Sequence, residues 1–148
     1  MKFLVFIFFA LTTMANVDAQ IKSLEELLRK KPTDKFLNLK LGDAYYKKKN
    51  FDKALVHYKI ANEEVNVPAL EGIAKSLRQK KDFLELIRAL EILKQEKPNS
   101  VKYVTELADA YAIQKLYDKA IENYKAAIKM SPKYAPAYGG LIELHESN

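Results

Sequence analysis

The chain repeats itself. Shifted by 66 residues, the stretch beginning at Leu41 falls on the stretch beginning at Leu107, with identities at Leu41/Leu107, Asp43/Asp109, Ala44/Ala110, Tyr45/Tyr111, Lys49/Lys115, Asp52/Asp118, Lys53/Lys119 and Ala54/Ala120. The match continues through Tyr58/Tyr124, Lys59/Lys125 and Ala61/Ala127. Halving the offset exposes a weaker middle copy, with Leu70, Ala74, Leu77, Phe83, Leu90 and Pro98 in the corresponding places. The repeating length is therefore about 34 residues, with the first copy two residues short. A segment of that size cannot bury its own apolar face, so the constraint is strong: the copies must stack on one another.

Within each copy the apolar residues recur every three to four positions, as in Leu107, Ala108 and Tyr111 and then Ala120, Tyr124, Ala127 and Ile128. This spacing predicts two amphipathic helices joined by a short turn. The turns hold Asn50-Phe51-Asp52, Lys81-Asp82-Phe83 and Leu116-Tyr117-Asp118, where an aromatic plugs the helix junction and the aspartate caps or favours the positive start of the second helix. Pro32, Pro98 and Pro132 follow the ends of second helices, since proline cannot continue their hydrogen bonding. Small residues at Gly42, Ala74 and Ala108 on the first helices and at Ala54 and Ala120 on the second let paired backbones approach closely.

These residues resemble the tetratricopeptide repeat family, whose pattern places Leu-Gly/Ala, Tyr, Ala, an aromatic, Ala and Pro at fixed positions over 34 residues. The third copy, 101–134, carries Leu107, Ala108, Tyr111, Ala120, Tyr124, Ala127 and Pro132, with Val104 in place of the first aromatic. The first copy, 35–66, carries Leu41, Gly42, Tyr45, Ala54, Tyr58 and Ala61, with Asn38 in place of that aromatic and the closing proline late at Pro68. The middle copy, 67–100, departs most, Leu86 and Leu93 replacing two small alanines. Residues 20–34 look like the second helix of a preceding repeat and 135–148 like the first helix of a following one, a capping helix. The resemblance implies an all-α, right-handed superhelical solenoid of helical hairpins, three full repeats plus a half-repeat at each end, with a concave groove lined by the first helices.

Carried over position by position, that groove is lined by Phe36, Leu39, Asp43, Tyr46 and Lys47 in the first copy. The second copy supplies Glu71, Lys75, Arg78 and Gln79, and the third Lys102, Thr105, Asp109, Ala112 and Ile113. Of the family's clamp for a peptide's terminal carboxylate only Lys102 is in place. Leu39, Asp43, Gly72 and Glu106 hold the other positions, so a chaperone-adaptor role is rejected. What remains is an apolar, aromatic end at Phe36, Leu39 and Tyr46 and a basic centre at Lys75, Arg78 and Lys102, suited to an extended or helical segment bearing acidic groups.

Ahead of the repeats, Met1-Lys2 leads into an uncharged apolar stretch from Phe3 to Ala15, the pattern of a secretory signal peptide over 1–19. Val17-Asp18-Ala19 offers a small-x-small cleavage point releasing Gln20, and Thr13-Met14-Ala15 an alternative releasing Asn16. A membrane anchor is the rival reading. At about 1.5 Å per residue the stretch covers only ~20 Å of a hydrocarbon layer ~30 Å thick. No cysteine is present, which excludes a disulfide framework, a Cys-ligated metal and a lipid-bearing cleavage site. With no glycosylation sequon and no ER-retention ending, a bacterial periplasm is expected, secretion being the alternative.

The remaining chemistry is sparse. His57 and His145 have no partner at ligand spacing and read as surface or cap residues, not metal ligands. No nucleophile-base motif, phosphate loop or cofactor motif appears, so neither an enzyme nor a cofactor is expected. The tyrosines Tyr45, Tyr58, Tyr111 and Tyr124 recur at core positions of the repeat, which argues against a nucleic-acid stacking surface. Charge falls along the chain, from 11 basic and 7 acidic residues over 20–66 to 6 of each over 101–148. The runs Arg29-Lys30-Lys31 and Lys47-Lys48-Lys49 decorate helix ends. The expectation is an exported, non-enzymatic adaptor for another envelope protein, with self-association through the terminal helices as the second reading.

Overall fold

The computed structural model describes residues 16–146, and within them every regular element is helical. Eight helices follow one another: α1 over residues 16–28, α2 (Lys35–Lys47), α3 (Phe51–Ala61), α4 (Val67–Lys80), α5 (Phe83–Glu96), α6 (Val101–Ile113), α7 (Tyr117–Met130) and α8 (Ala135–Glu146). The expected leader lies outside the described residues as far as residue 15. Its last four residues belong to α1, where Asp18 forms an ion pair with Lys48. α1 stops at residue 28, short of Pro32.

Local chemistry sets the helix starts. The Asp34 carboxylate accepts from the Leu37 amide at 2.9 Å, the Asn50 side chain from the Lys53 amide at 3.1 Å, and Asp82 from the Glu85 amide at 3.4 Å. The cap of α3 is thus Asn50. Asp52 and Asp118 sit inside their first turns, where a carboxylate meets the positive end of the helix. Pro68 and Pro136 stand in the first turns of α4 and α8, the one stretch of a helix where a missing N–H costs nothing.

The helix ends hold a feature that carries no glycine signal. Lys49, Lys81 and Lys115 have φ of 60°, 59° and 58°, the left-handed region. After α2 the Lys49 amide donates to the Tyr46 carbonyl and the Asn50 amide to the Tyr45 carbonyl. After α6 Lys115 and Leu116 repeat both bonds to Ala112 and Tyr111. This is the Schellman closure, which satisfies two orphan carbonyls at each end.

The chain divides into two compact units between Gln79 and Lys80. In the first, α2 packs on α3 with Leu41, Ala44, Ala54 and Ala61 sealed from solvent. The Tyr58 ring fills the space between Gly42 on α2 and Gly72 on α4, where an added Cβ would stand only 2.6 Å and 2.5 Å from ring atoms. In the second, α6 packs on α7 around Val104, Leu107, Ala108, Ala120 and Ala127, α5 lies on α6, and α8 lies on α7 and α6. Burying each such leucine contributes roughly 1.5–3 kcal/mol.

Candidate ligand-binding face

The first-helix residues singled out by the repeat fall on different sides of that packing. On α2, Phe36, Leu39, Asp43 and Tyr46 recur at intervals of three and four and so share one face. Phe36 is 64% exposed, with the Lys40 ammonium 5.4 Å from its ring centre. Leu39 and Tyr46 are half-buried, and Tyr46 meets Phe51 at 5.4 Å between ring centres. Lys47 is exposed in the last turn. On α4, Lys75 and Gln79 are exposed while Glu71 and Arg78 are half-buried. The first unit therefore presents an apolar row on α2 and a basic one on α4.

In the second unit the corresponding row is thinner. Lys102 is exposed with its ammonium 5.4 Å from the Tyr103 ring centre, and Ile113 is 54% exposed. Thr105, expected in the groove, is 3% exposed and donates its hydroxyl to the Val101 carbonyl at 2.9 Å. It is packed inward and satisfied by its own helix, so it presents nothing to a ligand. Lys75 and Arg78 belong to the first unit and Lys102 to the second, so the expected basic centre draws on both.

Asp43 and Asp109 have a second duty. Asp43 accepts the Tyr58 hydroxyl at 2.8 Å and Asp109 the Tyr124 hydroxyl at 2.7 Å. Burial first, and then the bond to a carboxylate, pushes both phenols well above the ordinary tyrosine range. These aspartates tie the face to the core beneath it.

Sequence reasoning missed a polar cluster in the first unit. Asn38 stands where the repeat has an aromatic, and it is 1% exposed with every bond made. Its amide donates to the Pro32 and Asp34 carbonyls at 2.9 Å each, and its oxygen lies 2.9 Å from Nδ1 of His57. The His57 ring stacks on Tyr45, 5.6 Å between centres and 9° from parallel. Tyr45 donates to Glu25 of α1 and has the Lys53 ammonium 4.9 Å from its ring centre. Burial pushes the Tyr45 phenol up to about 12, with the Glu25 bond adding to it. Burial also lowers the imidazole of His57, Lys53 acting in the same direction and Glu25 against it.

The second unit repeats the framework 66 residues on. Tyr111 donates to Glu91 at 2.7 Å and Lys119 stands 5.4 Å from its ring centre. There Val104 and Asn123 replace Asn38 and His57 together. That joint replacement was the available sign that the two side chains touch. Asn123 instead accepts from Lys94 at 2.9 Å and donates to the Lys119 carbonyl at 2.8 Å. An open hollow of about 520 Å³ lies there, lined by Glu91, Lys94, Leu107, Tyr111 and Asn123 among others.

Among the described residues no group of three or more His, Cys, Asp or Glu side chains is placed to hold a metal ion. Nor is any described helix long and apolar enough to cross a membrane.

Comparison with known proteins agrees with this geometry. The tetratricopeptide repeat family matches residues 101–134. No curated protein matches the sequence significantly. Among solved structures, MamA superposes with a TM-score of 0.81 at 21% identity, covering 92% of this chain and 81% of MamA. YrrB, described as a TPR protein with an unusual peptide-binding site, gives 0.80 at 13% identity over 93% of this chain and 72% of its own. A tetratricopeptide repeat protein from Parabacteroides merdae gives 0.81 at 18% identity over 97% of this chain, which spans 58% of that protein. The chain has the all-helical fold of the tetratricopeptide repeat solenoids.

Proposed function

We propose that this chain is an exported, non-enzymatic binding scaffold that holds a segment of another envelope protein, one bearing acidic groups, against the exposed face of its first helices. The observation that carries the reading is the exposure of Phe36 at the head of the apolar row on α2, on the same unit as the cationic Lys75 and Arg78 of α4. A large aromatic held open to solvent on a rigid helix is a preformed anchor, so little ordering cost attaches to its use. Ile113 and Lys102 extend the same mixture of apolar and basic character on α6. YrrB, a similar fold, is described as having a peptide-binding site, which favours a peptide segment as the ligand here too.

Export rests on the sequence before residue 20, a basic start followed by an uncharged apolar stretch. A bacterial periplasm is the compartment proposed. Mass spectrometry of the protein from a bacterial periplasmic fraction is expected to find Gln20 or Asn16 at the amino terminus. Retention of Met1 would remove export from the reading.

The binding claim is tested by display selection of peptides on the purified protein, followed by fluorescence polarisation. The selected peptides are expected to combine acidic and apolar residues. Phe36→Ala and Lys75→Glu should each weaken them by roughly tenfold, the size of a typical anchor residue. Selected peptides whose affinity neither substitution moves would refute the proposed face.

A further inference from the structure

The helices alternate by role along the chain. α2, α4, α6 and α8 occupy the first-helix position of the repeat and α1, α3, α5 and α7 the second. The described chain therefore opens on a second helix and closes on a first. Each edge leaves bare the positions that inner hairpins seal. On α8, Tyr138 is 42% and Ile142 57% exposed, whereas their counterparts on α6, Val104 and Ala108, are at 1% and 0%. On α1, Leu27 is 51% exposed, whereas its counterparts Ala61 on α3 and Ala127 on α7 are at 0%. Ile21 and Leu28 of α1 are buried, so α1 is already committed on its other side.

We propose that this chain associates head to tail with a second copy of itself, α8 of one protomer receiving α1 of the next as its missing second helix. The interface has a template inside the chain, because α6 receives α7 through the same positions. What α8 lacks is a second helix with an apolar stripe, and what α1 lacks is a first helix with one. A second copy supplies both at once and restores the alternation across the junction. Leu24 and Leu27 lie beyond both candidate cleavage points, so processing of the leader leaves the stripe intact.

Residue size sets the strength. Where the inner hairpin closes on Ala108 and Ala127, the edges carry Ile142 and Leu27, so the intermolecular pair stands wider, toward the upper part of the usual 8–10 Å range of helix spacing. One helix face per partner is a small interface, which places the association at roughly 10 µM to 1 mM. The two surfaces differ, so each contact leaves one surface of each kind unused and further copies can add.

The test is sedimentation velocity on protein expressed from the full coding sequence and purified as the cell processes it, from about 10 µM to about 1 mM. The average mass should rise with concentration. Leu27→Lys and Ile142→Lys should each hold the protein at the monomer mass with an unchanged circular dichroism melt, since both side chains are exposed. Mixed in equal amounts, the two variants should form a species of twice the monomer mass that grows no further, because one retains an intact α8 and the other an intact α1. A wild-type monomer throughout would overturn the proposal, as would a Leu27→Lys variant that dimerises alone, which would mean α8 pairs with α8. A mixture that stays monomeric while the wild type grows would overturn it as well.

Discussion

Tyr124 presses its ring against the bare α-carbon of Gly140 and donates its hydroxyl to Asp109, so a single side chain of α7 joins α6 to α8. Tyr58 does the same in the first unit, between Asp43 and Gly42 on α2 and Gly72 on α4. The intervening copy shows what the glycine is for. There Leu90, fully buried, takes the place of the tyrosine, and Glu106 takes the place of the glycine. A shorter side chain on the second helix leaves room for a Cβ on the following one.

Gly72→Ala is expected to lower stability by about 1–2 kcal/mol. Alanine gains about 1 kcal/mol in helix propensity. Against that, its Cβ would stand 2.5 Å from the Tyr58 ring, and the ring cannot retreat because Gly42 backs it and Asp43 holds its hydroxyl. Overpacking of this kind costs about 1–3 kcal/mol and wins. In a Tyr58→Leu background the same substitution should be neutral or stabilising. Urea midpoints of the four proteins in the cycle measure the coupling, and additive effects would show that the ring and the glycine do not constrain each other.

Lysine in the left-handed region at residues 49 and 115 carries a strain of about 1–2 kcal/mol that glycine lacks. Glycine gives part of this back by loosening the unfolded chain. Lys49→Gly and Lys115→Gly are therefore each expected to raise stability by about 0.5–1 kcal/mol. Lys115→Val, β-branched at the same φ, should lower it. Chemical denaturation of the three variants checks the sign, and a destabilised glycine variant would mean that the lysine side chain itself holds the turn.

The hairpin of α6 and α7 was legible because Leu107, Ala108, Tyr111, Ala120 and Tyr124 all report one thing, burial on a 3.6-residue period. The conformation at Lys49 was not, because the usual mark of a left-handed cap is glycine and none is present. Asn38 read as a defect in the repeat, since an isolated polar residue at a core position says nothing about the carbonyls waiting for it. Thr105 read as part of the groove, since position within the repeat cannot reveal a hydroxyl that folds back on its own helix. Apolar periodicity fixes which face is inside. Which polar groups find partners there depends on contacts between helices that no single segment encodes.

His57 gives the stability a pH dependence on the acid side. Its folded pKa is lowered, chiefly by burial, so on acidification the unfolded chain takes up the proton first. The contribution is complete above the ordinary histidine value near 6.5 and is lost as pH falls through the folded value. The wild type should therefore lose more stability between about pH 7.5 and pH 5 than Asn38→Val/His57→Asn, which installs the pair found at Val104 and Asn123. Equal losses in the two proteins would show that His57 is not the group responsible.

On the alkaline side the tyrosines act with the opposite sign. Burial, reinforced by bonds to Glu25 and Glu91, pushes Tyr45 and Tyr111 up to about 12, and Tyr58 and Tyr124 are raised as well. A raised phenol contributes in full below the unfolded value near 10, and the contribution is lost as pH rises through the folded one. Unfolded chains ionise first, so each of the four phenols draws the protein toward unfolding above that point. Phenolate absorbance is expected to lag and then rise together with loss of the helical circular dichroism signal. Tyr45→Phe/Tyr111→Phe should make the urea midpoint fall less steeply between about pH 10 and pH 12, since two of the four linked protons are gone. If instead all phenols of the wild type ionised near pH 10 with the helices intact, the carboxylate-bonded, buried state of these tyrosines would be wrong.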